Sequence, residues 1–143
     1  MWLFDTSRDK KLYHTGLFLI RVVVSCFMLT HGAKKYMMLF SGDPIQFADP
    51  IGIGQTNSLI LAFVAEFICS VFILIGFATR LVVLPLIVTM FIIIFIVHAP
   101  DGFEKQELPG LYLAIYVLLL ITGSGKYSID HLIHKKSRPR IHS

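Results

Sequence analysis

The sequence predicts an all-α fold: a four-helix transmembrane bundle with a long external first loop and a short cytoplasmic interfacial helix after the last span. Three observations predict it. The chain of 143 residues is 55% hydrophobic and only 15% charged, with a mean hydropathy of +0.73, more apolar than one soluble core of this size requires. Its apolar residues gather into four stretches, about 12–33, 58–78, 81–97 and 108–122, whose lengths run from bilayer-spanning to slightly short against the roughly 17 to 25 residues that a span takes. Its basic residues divide unevenly between the two sides that four spans create.

In chain order, the first stretch contains "GLFLIRVVVS", Gly16 to Ser25, with Arg21 set inside it. No small-residue processing site follows, and a charge interrupts the run, so it reads as a retained helix and not as a cleaved signal. The loop "SGDPIQFADPIGIGQTN" carries Pro44, Pro50, Gly52 and Gly54, which favour turns. A loop of this length either serves a purpose or folds over a surface. "GFATR", Gly76 to Arg80, makes the second and third helices a tight hairpin. Pro109 suits the first turn of the fourth helix, where its missing N–H costs nothing, and "GSGK", Gly123 to Lys126, looks like a helix exit. In the basic tail, 126–143, Tyr127, Ile129, Leu132 and Ile133 are placed to face lipid, while His131, Lys135 and Lys136 face water. No second hydrophobic cluster divides the chain, so residues 1–143 read as one domain.

Orientation follows from counting Lys and Arg. Arg8, Lys10, Lys11, Arg80, Lys126, Lys135, Lys136, Arg138 and Arg140 fall on one side, and Lys34, Lys35 and Lys105 on the other. This places both termini in the cytoplasm and the first and third loops outside. The net charge of +4 lies mostly in the tail, which fits a basic anchor on anionic lipid better than a nucleic-acid surface.

An ionised group in hydrocarbon costs roughly 2.5 to 3.5 kcal/mol on insertion scales, so Arg21 needs a partner or a wet cavity. Helix ends aligned at Leu12 and Ala78 put Arg21 about 14 Å and Glu66 about 18 Å from the inner side. Helical spacing gathers His14, Arg21, Ser25, Met28 and Gly32 on one stripe, and Ser58, Ala62, Ala65, Glu66 and Cys69 on another. The expectation is that Arg21 and Glu66 meet between helices 1 and 2. Such a pair serves either as a register-setting contact or as the floor of a polar site opening outward.

His31 in "THGAKK" and His98 in "VHAPDGFEKQE" end helices 1 and 3 at the external interface, with Asp101, Glu104 and Glu107 close in sequence. They either cap helix ends or ring the mouth of that site. A quinone headgroup needs hydrogen-bond donors and a proton route, which His, Glu and Arg supply. Metal binding is another possibility, though two histidines and scattered carboxylates show no tight ligand spacing, and no metal ligands are assigned. Cys26 and Cys69 both fall inside spans with no CxxC, and their axial separation of about 8 to 12 Å disfavours a disulfide. No nucleotide loop, nucleophile elbow or HExxH motif is present. His131, His134 and His142 read as solvated tail residues.

From about Gly16 to Asp130 the sequence resembles the DoxX-like integral membrane proteins. The resemblance rests on Arg21; His31, Gly32 and Lys35; Pro50, Gly52 and Gly54; Ala65 and Glu66; Gly76, Thr79 and Arg80; His98, Gly102 and Phe103; and Gly123, Gly125, Ser128 and Asp130, in that order. It implies a four-helix bundle in a bacterial inner membrane. Some relatives are associated with thiosulfate:quinone oxidoreduction and others with a membrane complex handling oxidative and thiol stress. This chain departs from a self-sufficient sulfur enzyme in lacking exposed cysteines and a nucleotide motif, which leaves open whether it is an enzyme. The reading that follows is a redox-associated subunit binding a quinone or similar lipid-soluble partner. Its candidate catalytic residues are Glu66, His31 and His98, and its candidate binding residues are Arg21, Lys35 and Glu66. The alternative is a non-enzymatic scaffold or lipid-binding subunit. The implied partners are the lipid bilayer, other redox subunits or a second copy of the chain.

Overall fold

A computed structural model describes residues 10–137. Arg8, Arg138, Arg140 and His142, used or assigned in the sequence reading, lie outside the described residues. Five helices and no strand are present among the described residues: α1 (Lys10–Phe40), α2 (Gln55–Ile75), α3 (Thr79–Val97), α4 (Phe103–Thr122) and α5 (Ile129–Ser137). The first four are long and apolar enough to cross a membrane. Side chains turned outward from them are mostly large and apolar, among them Phe27, Leu61, Val88, Phe95 and Ile121, as a bundle surrounded by lipid requires.

α1 packs on α2, α3 on α4, and α2 and α3 join the two pairs. The core is drawn from all four spans: Val24 and Met28 of α1, Cys69 and Ile73 of α2, Val83, Leu86 and Met90 of α3, and Tyr112, Tyr116 and Leu119 of α4. The predicted stripes hold in large part. Arg21, Ser25, Met28 and Gly32 are buried on α1, and Ser58, Ala65, Glu66 and Cys69 on α2.

At Gly32 the α1–α2 contact is close enough that a Cβ would stand 2.8 Å from both the Cβ and the backbone nitrogen of Phe67. No L side chain fits there without parting the helices. The α2–α3 turn closes as a Schellman motif: Phe77 N–H donates to Phe72 O at 2.9 Å while Gly76 takes a left-handed φ of 70°. Ala78 also has a positive φ, 47°, a strained setting for a residue with a Cβ. The Asp130 carboxylate holds it, accepting the Ala78 N–H at 2.7 Å and the Thr79 N–H at 3.1 Å.

Several boundaries differ from the expected ones. α1 runs 31 residues, and α4 starts at Phe103, which moves Pro109 from the first turn into the helix interior. Neither α2 nor α3 is α-helical throughout. Val64–Cys69 and Ile93–Val97 are π-helical, each letting one wide turn into the span. Cys69 is buried and Cys26 is exposed on the outer face of α1, both as free thiols. The expected absence of an exposed cysteine therefore fails at Cys26. Its place beside the outward Phe27 and Val23 turns it toward the lipid side of the span.

Candidate functional site

Arg21 and Glu66 are both buried, at 1% and 3% exposure, but they do not pair. The Arg21 guanidinium donates to three backbone carbonyls: Ser124 at 2.6 Å, Tyr127 at 2.8 Å and Leu74 at 3.4 Å. Leu74 O lies in the last turn of α2, where helix carbonyls have no partner of their own. Arg21 thus ties α1, the end of α2 and the segment after α4 into one knot, packed against Gly76, where any side chain would strike the guanidinium. Glu66 instead accepts from Lys35 Nζ at 2.5 Å.

The reason is register. Aligning the predicted ends placed Arg21 level with Glu66, but α1 extends about 16 Å beyond the α2–α3 turn before reaching Arg21. Gly32, eleven residues further on, meets Glu66 and Phe67. One turn beyond Gly32 on the same face stands Lys35, which becomes the counter-ion. From Arg21 to Phe40 the rise is about 28 Å, close to a bilayer's hydrocarbon thickness, so Arg21 sits at the end of a span and not midway.

The Lys35–Glu66 pair stands where two cavities meet. The larger, about 760 Å³, runs between α2 and α3 under the first loop, past Ala65, Pro85, Val88 and Ile92 to His98. The smaller, about 220 Å³, lies between α1, α3 and α4 and takes in His31, Lys105 and Tyr112. Lys35, Glu66, Ile93 and His98 line both. The structure therefore brings Glu66, His31, His98 and Lys35 together and leaves Arg21 at the other end of α1. Of the nearby carboxylates, Asp101 bonds His98 Nδ1 at 2.7 Å and faces Lys105 at 3.6 Å. Glu104 and Glu107 are exposed and line neither cavity.

The first loop, 41–54, does fold over a surface. Asp49 accepts from Ile53 N–H, Gly54 N–H and the Ser58 hydroxyl at 3.0, 2.8 and 2.8 Å, fastening the loop to the start of α2. The Ser58 hydrogen bond, followed by that of Gly54, holds the Asp49 carboxyl below the usual carboxylate range. So fastened, the loop sets Phe47 5.8 Å from Lys35 Nζ, at cation–π range. Asp101 is likewise held below the usual range, chiefly by its bond to His98.

Phe47, Tyr112 and the two π turns were not singled out in the sequence. Tyr112 packs edge-on against His31 at 6.2 Å and stacks with Tyr116; its i, i+4 spacing from Tyr116 on α4 was the available signal. One π turn carries Glu66, and the other ends at His98, whose N–H bonds Ile93 O at 2.8 Å across five residues. No residue pattern announced either. Among the described residues, no group of three or more His, Cys, Asp or Glu side chains is placed to hold a metal ion.

Four apolar spans and a buried ion pair between cavities define a helical membrane protein with a polar site near one end of its bundle. The DoxX family profile matches residues 16–99, well over half of the chain, and the protein belongs to the DoxX family. No curated protein and no solved structure matches the chain.

Proposed function

We propose that this protein is an inner-membrane, redox-associated subunit that binds a quinone, or a similar lipid-soluble partner, at Lys35, Glu66, His31 and His98, with both termini cytoplasmic and the first loop outside. The observation that carries the reading is the shape and lining of the larger cavity. It follows α3 from Leu81 to His98, about 25 Å of helix rise, with mostly apolar walls and the ion pair near its loop end. A ligand with one polar head and a long apolar chain matches that distribution. The exposed Leu61, Leu81, Leu84 and Val88 along it leave it accessible from the acyl chains.

The donor set fits a quinone. Lys35 Nζ has donors left after bonding Glu66 and is placed to bond a headgroup oxygen. Glu66 takes or gives a proton beside it, and the His98–Asp101 pair links that position to the loop surface. Phe47 and the first loop cover the pair on one side. A quinone, once bound, supplies reversible two-electron, two-proton chemistry. The electrons come from another redox subunit. The orientation agrees with the basic residues, since Lys10, Lys11, Arg21, Arg80, Lys126, Lys135 and Lys136 all belong to the turn end of the bundle.

The test is extraction and quantification of ubiquinone and menaquinone from gently purified protein. Stoichiometric quinone that disappears in Glu66→Ala supports the reading. Stable partner subunits with no quinone in the wild type overturn it in favour of a scaffold.

A further inference from the structure

A third cavity, of about 590 Å³, opens at the opposite end of the bundle, between the α2–α3 turn, the end of α4 and α5. The quinone reading does not use it. Its ionisable lining groups are Arg80, Asp130, His131 and His134. Asp130 is already committed: both carboxylate oxygens accept backbone N–H groups at the start of α3, and Arg21 lies within Coulomb range. Arg80 is exposed and gives one Nη2 hydrogen bond, to Ile121 O at 3.2 Å. A guanidinium carries five donors, so most of its fork is free. It lies over Gly123, whose missing side chain leaves it room, Nε being 3.3 Å from where a Cβ would stand.

We infer that this cavity binds a phosphate group, held by Arg80, His131 and His134. A forked cation and two imidazole donors around one space are groups that phosphate oxygens take. Its surroundings are those of a lipid headgroup layer: it lies at helix ends, beside the half-exposed Tyr127 and under α5, whose Ile129, Leu132 and Ile133 are exposed. The phosphate comes either from an anionic phospholipid, with α5 lying on the bilayer surface, or from free phosphate.

The experiment uses the full chain, delipidated in mild detergent, with retained lipid read by native mass spectrometry. The probes are phosphatidylglycerol, phosphatidylcholine of the same acyl chains, and inorganic phosphate alone. Retention of phosphatidylglycerol about tenfold over phosphatidylcholine, abolished in Arg80→Gln and only partly kept in Arg80→Lys, supports the site and names lipid as its source. Saturable binding of inorganic phosphate with the same dependence on Arg80, and no lipid preference, supports the site and names the free ion. If Arg80→Gln fails to fold, His134→Gln carries the test, with a severalfold loss expected. Equal retention of both lipids without phosphate binding overturns the proposal. So does a loss in Lys135→Gln, an exposed cation outside the cavity, as large as that in Arg80→Gln, because general surface charge then explains the effect.

Discussion

Arg21 and Lys35 are cations on the same inward face of one helix, about 21 Å apart along its axis, and the protein uses them in opposite ways. Arg21 is closed in by backbone: three carbonyls from two segments accept from its Nη1 and Nη2, and Gly76 is packed against it. Lys35 has a single carboxylate partner and stands at the junction of two cavities. Burial and charge alone do not distinguish a structural ion from a binding one. The distinction lies in what accepts the donors and in how much space surrounds them.

That contrast is broken most sharply at the turn end. Arg21→Met leaves the carbonyls of Ser124 and Tyr127 without donors in a packed site, and should cost about 3 kcal/mol or more, read as a large fall in unfolding midpoint in detergent. An unchanged midpoint would show that the knot is not structural. Gly32→Ala comes next. Its Cβ presses on the Phe67 backbone, so α1 and α2 must part at a cost of about 1 to 3 kcal/mol. Retained quinone should fall with it as Lys35 leaves Glu66.

At the loop end, Glu66→Gln keeps an amide oxygen that can accept from Lys35, which borders two cavities, so the midpoint should fall less than in Arg21→Met. It should nonetheless reduce retained quinone at least tenfold. A large loss of stability with quinone retained would reverse the assignment of the two cations. Phe47→Ala, at the mouth, should weaken retention severalfold and leave the midpoint unchanged.

The smallest effect concerns pH. Asp101 has a folded-state pKa below its unfolded value, so its stabilising contribution is present above the unfolded pKa, about 4, and is lost as pH falls through the folded one. Unfolding midpoints of wild type and Asp101→Asn should differ at pH 6 and converge by about pH 3. A constant gap would mean that the bond to His98 contributes nothing pH-dependent.

The four spans were legible because apolar composition alone determines which segments can enter a bilayer, and the facing stripes because Gly, Ser and Ala recur at helical spacing. Glu66, His31, His98 and Lys35 were legible as ionisable residues that a membrane tolerates only for a reason. The pairing was not. It depends on how far α1 slides past α2, and a helix that overhangs its neighbour leaves no mark in the apolar pattern of either. The Gly32 contact that sets the slide depends on Phe67, on the next helix and beyond the whole first loop. The π turns were hidden for a similar reason: one residue more per turn changes the hydrogen-bond partner without changing which residue types are present.

Asp130 and the Ser124 and Tyr127 carbonyls come after all four spans in the order of synthesis, yet they secure the strained backbone at Ala78 and the arginine of the first helix. The two halves of the bundle therefore lack this latch until the segment after the fourth span has left the ribosome. Quality control that senses an unlatched state would detect loss of residues after Thr122 as readily as loss of an entire span.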